Sequence, residues 1–245
     1  MLSKNQAKLI KSLQDKKDRN ELGLFLVEGA KNILELLNSD FQINELFITE
    51  EFLNKNETIL NNKNIKYNLA TRDELERAGS LESNDSAIAI VKQKDNSLLK
   101  IEDTEIIIAL DEIKDPGNLG TIIRIADWYG IKKIIASSNT ADFYNPKVIS
   151  ATKGSFIRVQ IFYTDLKLFL TETKIPVLGA FLDGENIHKL VFPKSGILVM
   201  GNESKGISPE IETCITQKIT IPSFGQAESL NVAVATAVIL DNWKK

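Results

Sequence analysis

Cysteine and histidine are almost absent from this sequence of 245 residues, which contains one of each, Cys214 and His188. A single cysteine cannot form an intrachain disulfide, and one residue of each type is too few for a zinc site with Cys and His ligands. The scarcity does not exclude Mg²⁺ bound by carboxylates. So little use of cysteine fits the cytosol best.

Long apolar runs are absent as well. No stretch approaches about eighteen consecutive apolar residues, so we predict no membrane-spanning helix and no membrane partner. Residues 1–14 lack the apolar segment of a secretory signal peptide. The composition, 43% apolar and 26% charged, is ordinary for a soluble globular protein. A chain of this length forms one large domain or two smaller ones.

An excess of positive charge is also missing, because 30 Lys and Arg face 33 Asp and Glu, for a net charge of −3. Net charge therefore gives no general attraction to nucleic acid. Lys4, Lys8 and Lys11 nevertheless share one face of a helix through their i, i+4, i+7 spacing. On the charge pattern alone a solvated helix face is favoured, and a surface that contacts nucleic-acid phosphates is the alternative.

Several familiar motifs are missing too. The stretch "GNESKGIS", residues 201–208, begins like a P-loop but has Ile207 where the phosphate-binding lysine is required. The sequence has no G-x-G-x-x-G and no H-E-x-x-H, and His188 lies in the turn-like stretch "DGENIHKLVF". These observations argue against an NTPase, a dinucleotide-dependent oxidoreductase, a zinc protease and a serine hydrolase.

The first part of the chain alternates between helix and strand patterns. We predict a helix over 3–17, with Ser3 as N-cap and Gln6 at the capping-box spacing, and a later helix capped by Thr71. The apolar stretches "LGLFLVEG" and "DSAIAIVKQK" predict strands. Residues 94–103 are charged and predict a linker. The expected domains are 1–98, a small α/β domain, and 99–245.

The second part of the chain predicts a parallel sheet covered by helices on both faces, because apolar strands alternate with helices. The expected strands are 105–111, 132–138, 156–162, 174–182, 196–202 and 217–222. The expected helices are 118–129, 145–153, 165–172 and 229–243. Ligands bind beyond the carboxyl ends of strands in such sheets. Three of these ends carry unusual polar loops: "LDEIKDPGNLGTIIRIA", "VMGNESKGIS" and "IPSFGQAESLN".

These loops resemble the three signature motifs of the SpoU (TrmH-type) RNA ribose 2′-O-methyltransferases, in the SPOUT superfamily. The matching stretches are "DPGNLGTIIRIADWYG" (115–130), "LVMGNESKGIS" (198–208) and "IPSFGQAESLNVAVATAVIL" (221–240). The segment "YNPKVISATKGSFIRV" (144–159) is similar to the family's segment between the first two motifs. Residues 3–29 are similar to an L30e/L7Ae-like RNA-binding domain that such enzymes often carry.

The resemblance implies a fold that periodicity does not suggest. The parallel-sheet α/β domain would tie a trefoil knot near its C-terminus, with S-adenosylmethionine bound in the knot. Family members are typically homodimers with active sites formed by both subunits. The implied reaction transfers the methyl group of S-adenosylmethionine to a ribose 2′-OH of structured RNA. The sulfonium donor is already activated, so the resemblance implies no metal.

The resemblance also implies roles for single residues. Arg124 is the family's proposed catalytic residue; because a guanidinium stays protonated, we expect it to hold the RNA phosphate and stabilise a developing alkoxide, with the phosphate itself as a candidate base. The alternative is an ion pair of Arg124 with Asp127. Asn118 would orient Arg124 or the ribose, and would also fit the N-cap of helix 118–129. Glu203 would accept hydrogen bonds from Arg124 or substrate, or would be a solvated loop carboxylate.

The third motif supplies the remaining candidates. Ser229 and Asn231 would be active-site residues; the alternative for Ser229 is the N-cap of helix 229–243, with Asn231 incidental. The implied cofactor-binding residues are Gly201, Ile221, Pro222, Ser223 and Leu230, with Ser223 standing where the family often has Met. The implied RNA-binding residues are Lys4, Lys8, Lys11, Arg19 and Lys147.

Alternatives stay open at this point. The N-terminal domain favours ribosomal RNA over transfer RNA, by analogy with family members only. A tRNA 2′-O-methyltransferase, a methyltransferase acting on a base nitrogen, and a non-catalytic RNA-binding protein with a decayed transferase domain are the other readings of the sequence. The argument against decay is that the candidate site residues are intact, namely Asn118, Arg124, Glu203, Ser229 and Asn231.

Overall fold

The structure, a computed structural model, describes residues 2–245 and places them in two compact units. One unit contains the chain up to Asp95 together with Asp142–Ile157, and the other contains Asn96–Ala141 and Arg158–Lys245. The segment 142–157 thus groups with the N-terminal residues, which no local pattern in the sequence indicated. The predicted domain division at residue 98 stays a prediction.

The elements of the chain alternate throughout. The elements before residue 95 are α1 (Lys4–Ser12), α2 (Lys16–Leu22), β1 (Leu24–Glu28), α3 (Ala30–Leu37), β2 (Ile43–Ile48), α4 (Glu50–Asn62), β3 (Asn68–Leu69), α5 (Arg72–Ala78) and β4 (Ala87–Lys92). Those after it are β5 (Ile106–Leu110), α6 (Pro116–Trp128), β6 (Lys133–Ser137), α7 (Pro146–Thr152), β7 (Gln160–Thr164), α8 (Leu166–Glu172), β8 (Val177–Asn186), β9 (Gly196–Met200), α9 (Pro209–Glu212), β10 (Gln217–Thr220) and α10 (Val232–Trp243).

The first unit is built on a four-stranded sheet in the order β1-β4-β2-β3. Strand β4 pairs antiparallel with β1 and β2, and β3 pairs parallel with β2. The predicted capping box at Ser3 with Gln6 and the predicted cap at Thr71 are both confirmed, and Glu74 completes a second capping box with Thr71. The single helix predicted over 3–17 is wrong: α1 ends at Ser12, and Asp15 caps the separate helix α2.

The second unit confirms the predicted parallel sheet. Its six strands lie in the order β10-β8-β9-β5-β6-β7, and every neighbouring pair is parallel. Strand β7 begins later than predicted, because Phe156 is buried in the first unit and packs edge-on against Phe25 at a ring-centroid distance of 6.4 Å. The short helix α9, capped by Ser208, was not predicted.

The sheet of the second unit positions the three polar loops. Strands β5 and β9 are adjacent and parallel, so the loops after Leu110 and Met200 leave the sheet at the same edge. Strand β10 is parallel to β8, which pairs with β9, so the loop 221–231 begins at that edge too. Within residues 2–245, no helix is both long and apolar enough to cross a membrane.

Candidate active site

The carboxylate of Glu203 lies at the centre of the polar loops. Its Oε1 accepts hydrogen bonds from the Asp115 backbone N–H at 3.1 Å and from Asn118 Nδ2 at 3.1 Å. Its Oε2 accepts a bond from the Lys114 backbone N–H at 3.2 Å. This side chain therefore helps to fix the loop after β9 to the loop after β5.

The Asn118 side chain connects Glu203 with the third loop. While its Nδ2 donates to Glu203, its Oδ1 accepts a hydrogen bond from Asn231 Nδ2 at 2.8 Å. Asn231 Oδ1 in turn accepts from the backbone amides of Ala233 and Val234. Every polar atom of the two amides thus has a partner, so both side chains have defined orientations.

Helix α10 begins one residue after Asn231, which is its N-cap. The alternative that Ser229 caps this helix is therefore wrong; Ser229 lies two residues before the cap and is exposed. Asparagine is among the preferred N-cap residues, and this accounts for an amide at the start of an otherwise apolar helix. Asn231 combines the cap with its bond to Asn118.

Helix α6 begins at Pro116, earlier than predicted, whereas α10 begins at Val232, later than predicted. Asp115 is its N-cap and Pro116 occupies the first helical turn, as expected for a residue that lacks a backbone N–H. The Asn118 backbone N–H donates to Asp115 Oδ1 at 2.7 Å. The N-cap role considered for Asn118 is therefore wrong, and its side chain is left for Glu203 and Asn231.

Arg124 lies on α6 with an exposed side chain. Asp127, its alternative partner, forms an ion pair with Arg158 at 2.9 Å. Within the described residues 2–245, Arg124 forms no hydrogen bond or ion pair. Six helical positions separate Asn118 from Arg124, which places the two side chains about 120° apart around the helix axis. The expected contacts of Arg124 with Asn118 and Glu203 are therefore not formed within this chain.

The residues expected to bind the cofactor lie in the loops that follow β9 and β10. Gly201 is buried, and a Cβ there would collide with the backbone of Gly206 and Ile207. Ile221 and Pro222 are half-buried, Ser223 is exposed, and Leu230 is 50% exposed. Residues 221–230 belong to no helix or strand. Residues 223–230 are exposed, so this part of the loop is accessible to a ligand.

The residues predicted to bind RNA divide into two groups. Lys4, Lys8, Lys11 and Lys147 are exposed, and their role stays a prediction. Arg19 was predicted wrongly, because its side chain is 1% exposed and forms an ion pair with Asp142. Its Nη1 also donates to the carbonyl oxygens of Leu13 and Gln14. A guanidinium with these buried partners is not available for phosphate.

Electrostatics of the loops favour an ionised Glu203. Partial burial raises the pKa of its carboxyl, but hydrogen bonds from the Asn118 side chain and from nearby backbone amides outweigh burial and lower the pKa below its ordinary value. The group is therefore a carboxylate near neutral pH and only accepts hydrogen bonds. It serves to orient donors.

Sequence reasoning missed two polar residues that hold these loops. Asp111 is buried at the end of β5 and accepts a hydrogen bond from the Ser208 backbone N–H at 2.7 Å. Asn202 donates from Nδ2 to the Glu112 carbonyl at 2.8 Å. Asp111 directly follows β5 and Asn202 lies two residues after β9, and this position after an apolar strand is the signal that could have identified them.

Two family models match the chain: the SpoU rRNA Methylase family over residues 105–241, and the MRM3-like substrate binding domain over residues 4–89. A 23S rRNA (guanosine(2553)-2′-O)-methyltransferase of Bacillus subtilis is 28% identical, over 97% of this chain and 96% of its own.

Two solved structures are similar over nearly the whole chain. One, a protein assigned to the TrmH family of RNA methyltransferases from Porphyromonas gingivalis, is 32% identical with a TM-score of 0.86, covering 99% of this chain and 98% of its own. The other, an rRNA methyltransferase of Sinorhizobium meliloti with bound S-adenosylmethionine, is 26% identical with a TM-score of 0.87, covering 100% of this chain and 95% of its own. Together with the three loops and the parallel sheet that presents them, these matches show that the chain belongs to the SpoU rRNA methylase family.

Proposed function

We propose that this protein transfers the methyl group of S-adenosylmethionine to a ribose 2′-OH of structured ribosomal RNA in the cytoplasm. The observation that carries the proposal is the hydrogen-bonded series Asn231–Asn118–Glu203, which joins all three family motifs within one unit of the chain. The whole-length relative that acts on 23S rRNA and the match to a substrate-binding domain at residues 4–89 favour ribosomal over transfer RNA.

The residues after β9 and β10 fit S-adenosylmethionine. The backbone of 221–230, which belongs to no helix or strand, offers N–H and C=O groups to an adenine edge, and Ile221, Pro222 and Leu230 offer apolar surface. When bound, S-adenosylmethionine supplies a methyl group on a sulfonium, which needs no further activation. We assign no metal to this reaction. The knotted path of the chain around this region remains part of the proposal.

The chain's own residues would then position the acceptor. Glu203 holds Asn118, and Asn118 holds Asn231, so the polar surface beside the cofactor is preorganised rather than assembled during the reaction. Arg124 is free to bind an RNA phosphate and to stabilise negative charge that develops on the 2′-oxygen. Its guanidinium does not remove the proton, because it stays protonated at any working pH. Correct alignment of the acceptor oxygen and the methyl carbon can lower the activation free energy by several kcal/mol, up to roughly 7–11.

We also propose that the protein is a homodimer. Trp128 on α6 is 84% exposed, and Leu230 in the loop before α10 and Val234 in the first turn of α10 are each 50% exposed. Trp128 and Val234 lie on two helices that pack together, α6 and α10, and a Tyr129–Asp241 hydrogen bond at 3.4 Å also joins this region. Exposed apolar patches of this kind mark protein interfaces. A second subunit would also bring further groups to Arg124.

The test uses purified protein and tritiated S-adenosylmethionine with ribosomal RNA and transfer RNA lacking the modification. We expect label in ribosomal RNA, recovered as a 2′-O-methylnucleoside by mass spectrometry. Label on a base or only in transfer RNA would overturn the corresponding part of the proposal.

The variant Arg124→Ala tests the assigned role directly. It should lower the transfer rate by at least about a hundredfold and leave the binding of S-adenosylmethionine, measured by calorimetry, unchanged. Arg77→Ala, which removes an exposed arginine of α5 paired with Asp73, is the matched control. Transfer by Arg124→Ala at the wild-type rate would contradict the mechanism.

A further inference from the structure

Glu112 has a backbone conformation that non-glycine residues rarely adopt. Its φ is 58°, in the left-handed region, where a side chain is unfavourable unless surrounding contacts impose it. The residue directly follows Asp111 at the end of β5 and begins the turn that leads to Asp115 and helix α6. The conformation of this turn decides where the next backbone amides point.

Contacts on both sides hold Glu112 in this conformation. Its backbone N–H donates to Ser137 Oγ at 2.9 Å, and its carbonyl accepts from Asn202 Nδ2 at 2.8 Å. The side chain also accepts from Asn139 Nδ2 at 2.8 Å. Ser137 and Asn139 come from β6 and its following loop, whereas Asn202 comes from the loop after β9.

Asn202 is itself rigidly placed. Its Oδ1 accepts from the backbone amides of Ser204 at 3.0 Å and Lys205 at 3.1 Å, and its backbone forms a reciprocal pair of 2.9 Å hydrogen bonds with Gly206. The side chain therefore does two separate things. Its oxygen folds its own loop, and its nitrogen reaches across to Glu112.

Asn202 and Glu203 are adjacent and bind the same four-residue stretch. Asn202 donates to the carbonyl of residue 112, and Glu203 accepts from the amides of Lys114 and Asp115. If the Glu112 carbonyl were released, the turn could relax toward ordinary backbone angles and carry those two amides away from Glu203. Glu203 would then lose the donors that fix its orientation toward Asn118.

We propose that Asn202 is a positioning residue for methyl transfer, which acts by holding the left-handed turn at Glu112 so that Glu203 and Asn118 keep their catalytic orientation. This inference rests on the proposed function. Asn202 touches neither the acceptor nor the reacting atoms, and it acts through the 112–115 backbone.

Two substitutions distinguish the hydrogen bonds that the Asn202 oxygen accepts within its own loop from the one that its nitrogen donates to Glu112. Asn202→Asp keeps an oxygen for the Ser204 and Lys205 amides but loses the donor to Glu112, whereas Asn202→Ala loses both. We expect Asn202→Asp to lower kcat between about tenfold and a hundredfold, with the Kd for S-adenosylmethionine and the Tm close to those of the wild type. Asn61→Asp, an exposed asparagine of α4, controls for the added charge.

A second measurement does not depend on activity. Hydrogen exchange followed by NMR should show faster exchange of the Lys114 and Asp115 amides in Asn202→Asp than in the wild type and in Asn61→Asp. If these amides exchanged in Asn202→Asp at the wild-type rate, the proposal that Asn202 holds the 112–115 backbone would be overturned. Faster exchange with a wild-type kcat would overturn its role in the reaction. If the wild-type protein methylated no RNA, the proposed function would be wrong. The exchange measurement would still test whether Asn202 holds the 112–115 backbone.

Discussion

The buried ion pair between Arg19 and Asp142 gives the most quantitative prediction. The Arg19 side chain is 1% exposed and that of Asp142 is 14% exposed. Two guanidinium nitrogens, Nε and Nη2, donate to Asp142 Oδ2, and Nη1 donates to the carbonyls of Leu13 and Gln14 at 3.0 and 2.8 Å. Asp142→Ala would remove the counter-charge and leave the guanidinium buried.

The magnitude follows from the desolvation of Arg19. Breaking a buried ion pair by removing one partner costs about 3–5 kcal/mol, because the remaining charge is neither hydrated nor compensated. In a chain of this size each kcal/mol changes Tm by about 2–4 °C. We therefore expect Asp142→Ala to lower Tm by about 10 °C. The exposed pair Lys17–Glu21, with side chains 80% and 63% exposed, should contribute less than about 1 kcal/mol.

Thermal unfolding followed by calorimetry is the assay, with Glu21→Ala as the control. Replacing both partners by apolar residues, Arg19→Met with Asp142→Leu, should recover most of the lost stability because no buried charge remains. A Tm for Asp142→Ala within about 2 °C of the wild type would refute the reasoning. The reasoning would also be refuted if Arg19→Met lost RNA affinity without a change in Tm, because Arg19 would then be a residue that binds RNA.

Three further predictions test the site and the basic helix. Because hydrogen bonding lowers the pKa of Glu203, the wild type should be more stable than Glu203→Gln above pH 4.5, the ordinary glutamate value, and should lose that advantage as pH falls through the lowered pKa; a constant difference in denaturant unfolding across this range would contradict it. Asn231→Asp keeps the α10 N-cap but loses the donor to Asn118, so we expect a Tm close to that of the wild type and a lower kcat. A kcat equal to that of the wild type would contradict a role for this hydrogen bond in the reaction. Lys8→Ala should weaken RNA binding and reduce the slope of log K against log[salt] by about 0.7–0.9, as measured in binding titrations; an unchanged slope would favour the solvated helix face.

Local patterns in the sequence predicted most of the fold. Capping at Ser3 and Thr71 depends on residues three positions apart, and the parallel sheet depends on apolar runs that alternate with helices. Both are short-range properties, so they survive folding. The three motif loops could be placed at strand ends for the same reason, and the family followed from them.

The site could be predicted only as a list of residues. The sequence named Asn118, Glu203 and Asn231 but did not show that they bond to one another rather than to Arg124. The caps that it offered as alternatives, Asn118 for α6 and Ser229 for α10, are wrong, because Asn, Asp and Ser are all acceptable caps and only backbone geometry selects among them.

The amino-acid sequence by itself determined the succession of elements, the strand-end loops and the family of this protein, since each depends on residues that are close together in the chain. Only the tertiary structure decided that Arg19 is buried against Asp142, 123 positions away in the chain, and that Asn202 holds the turn at Glu112. The physical reason is that the value of a charge or an amide depends on which distant groups fold around it. A pattern of spacing contains no information about those partners.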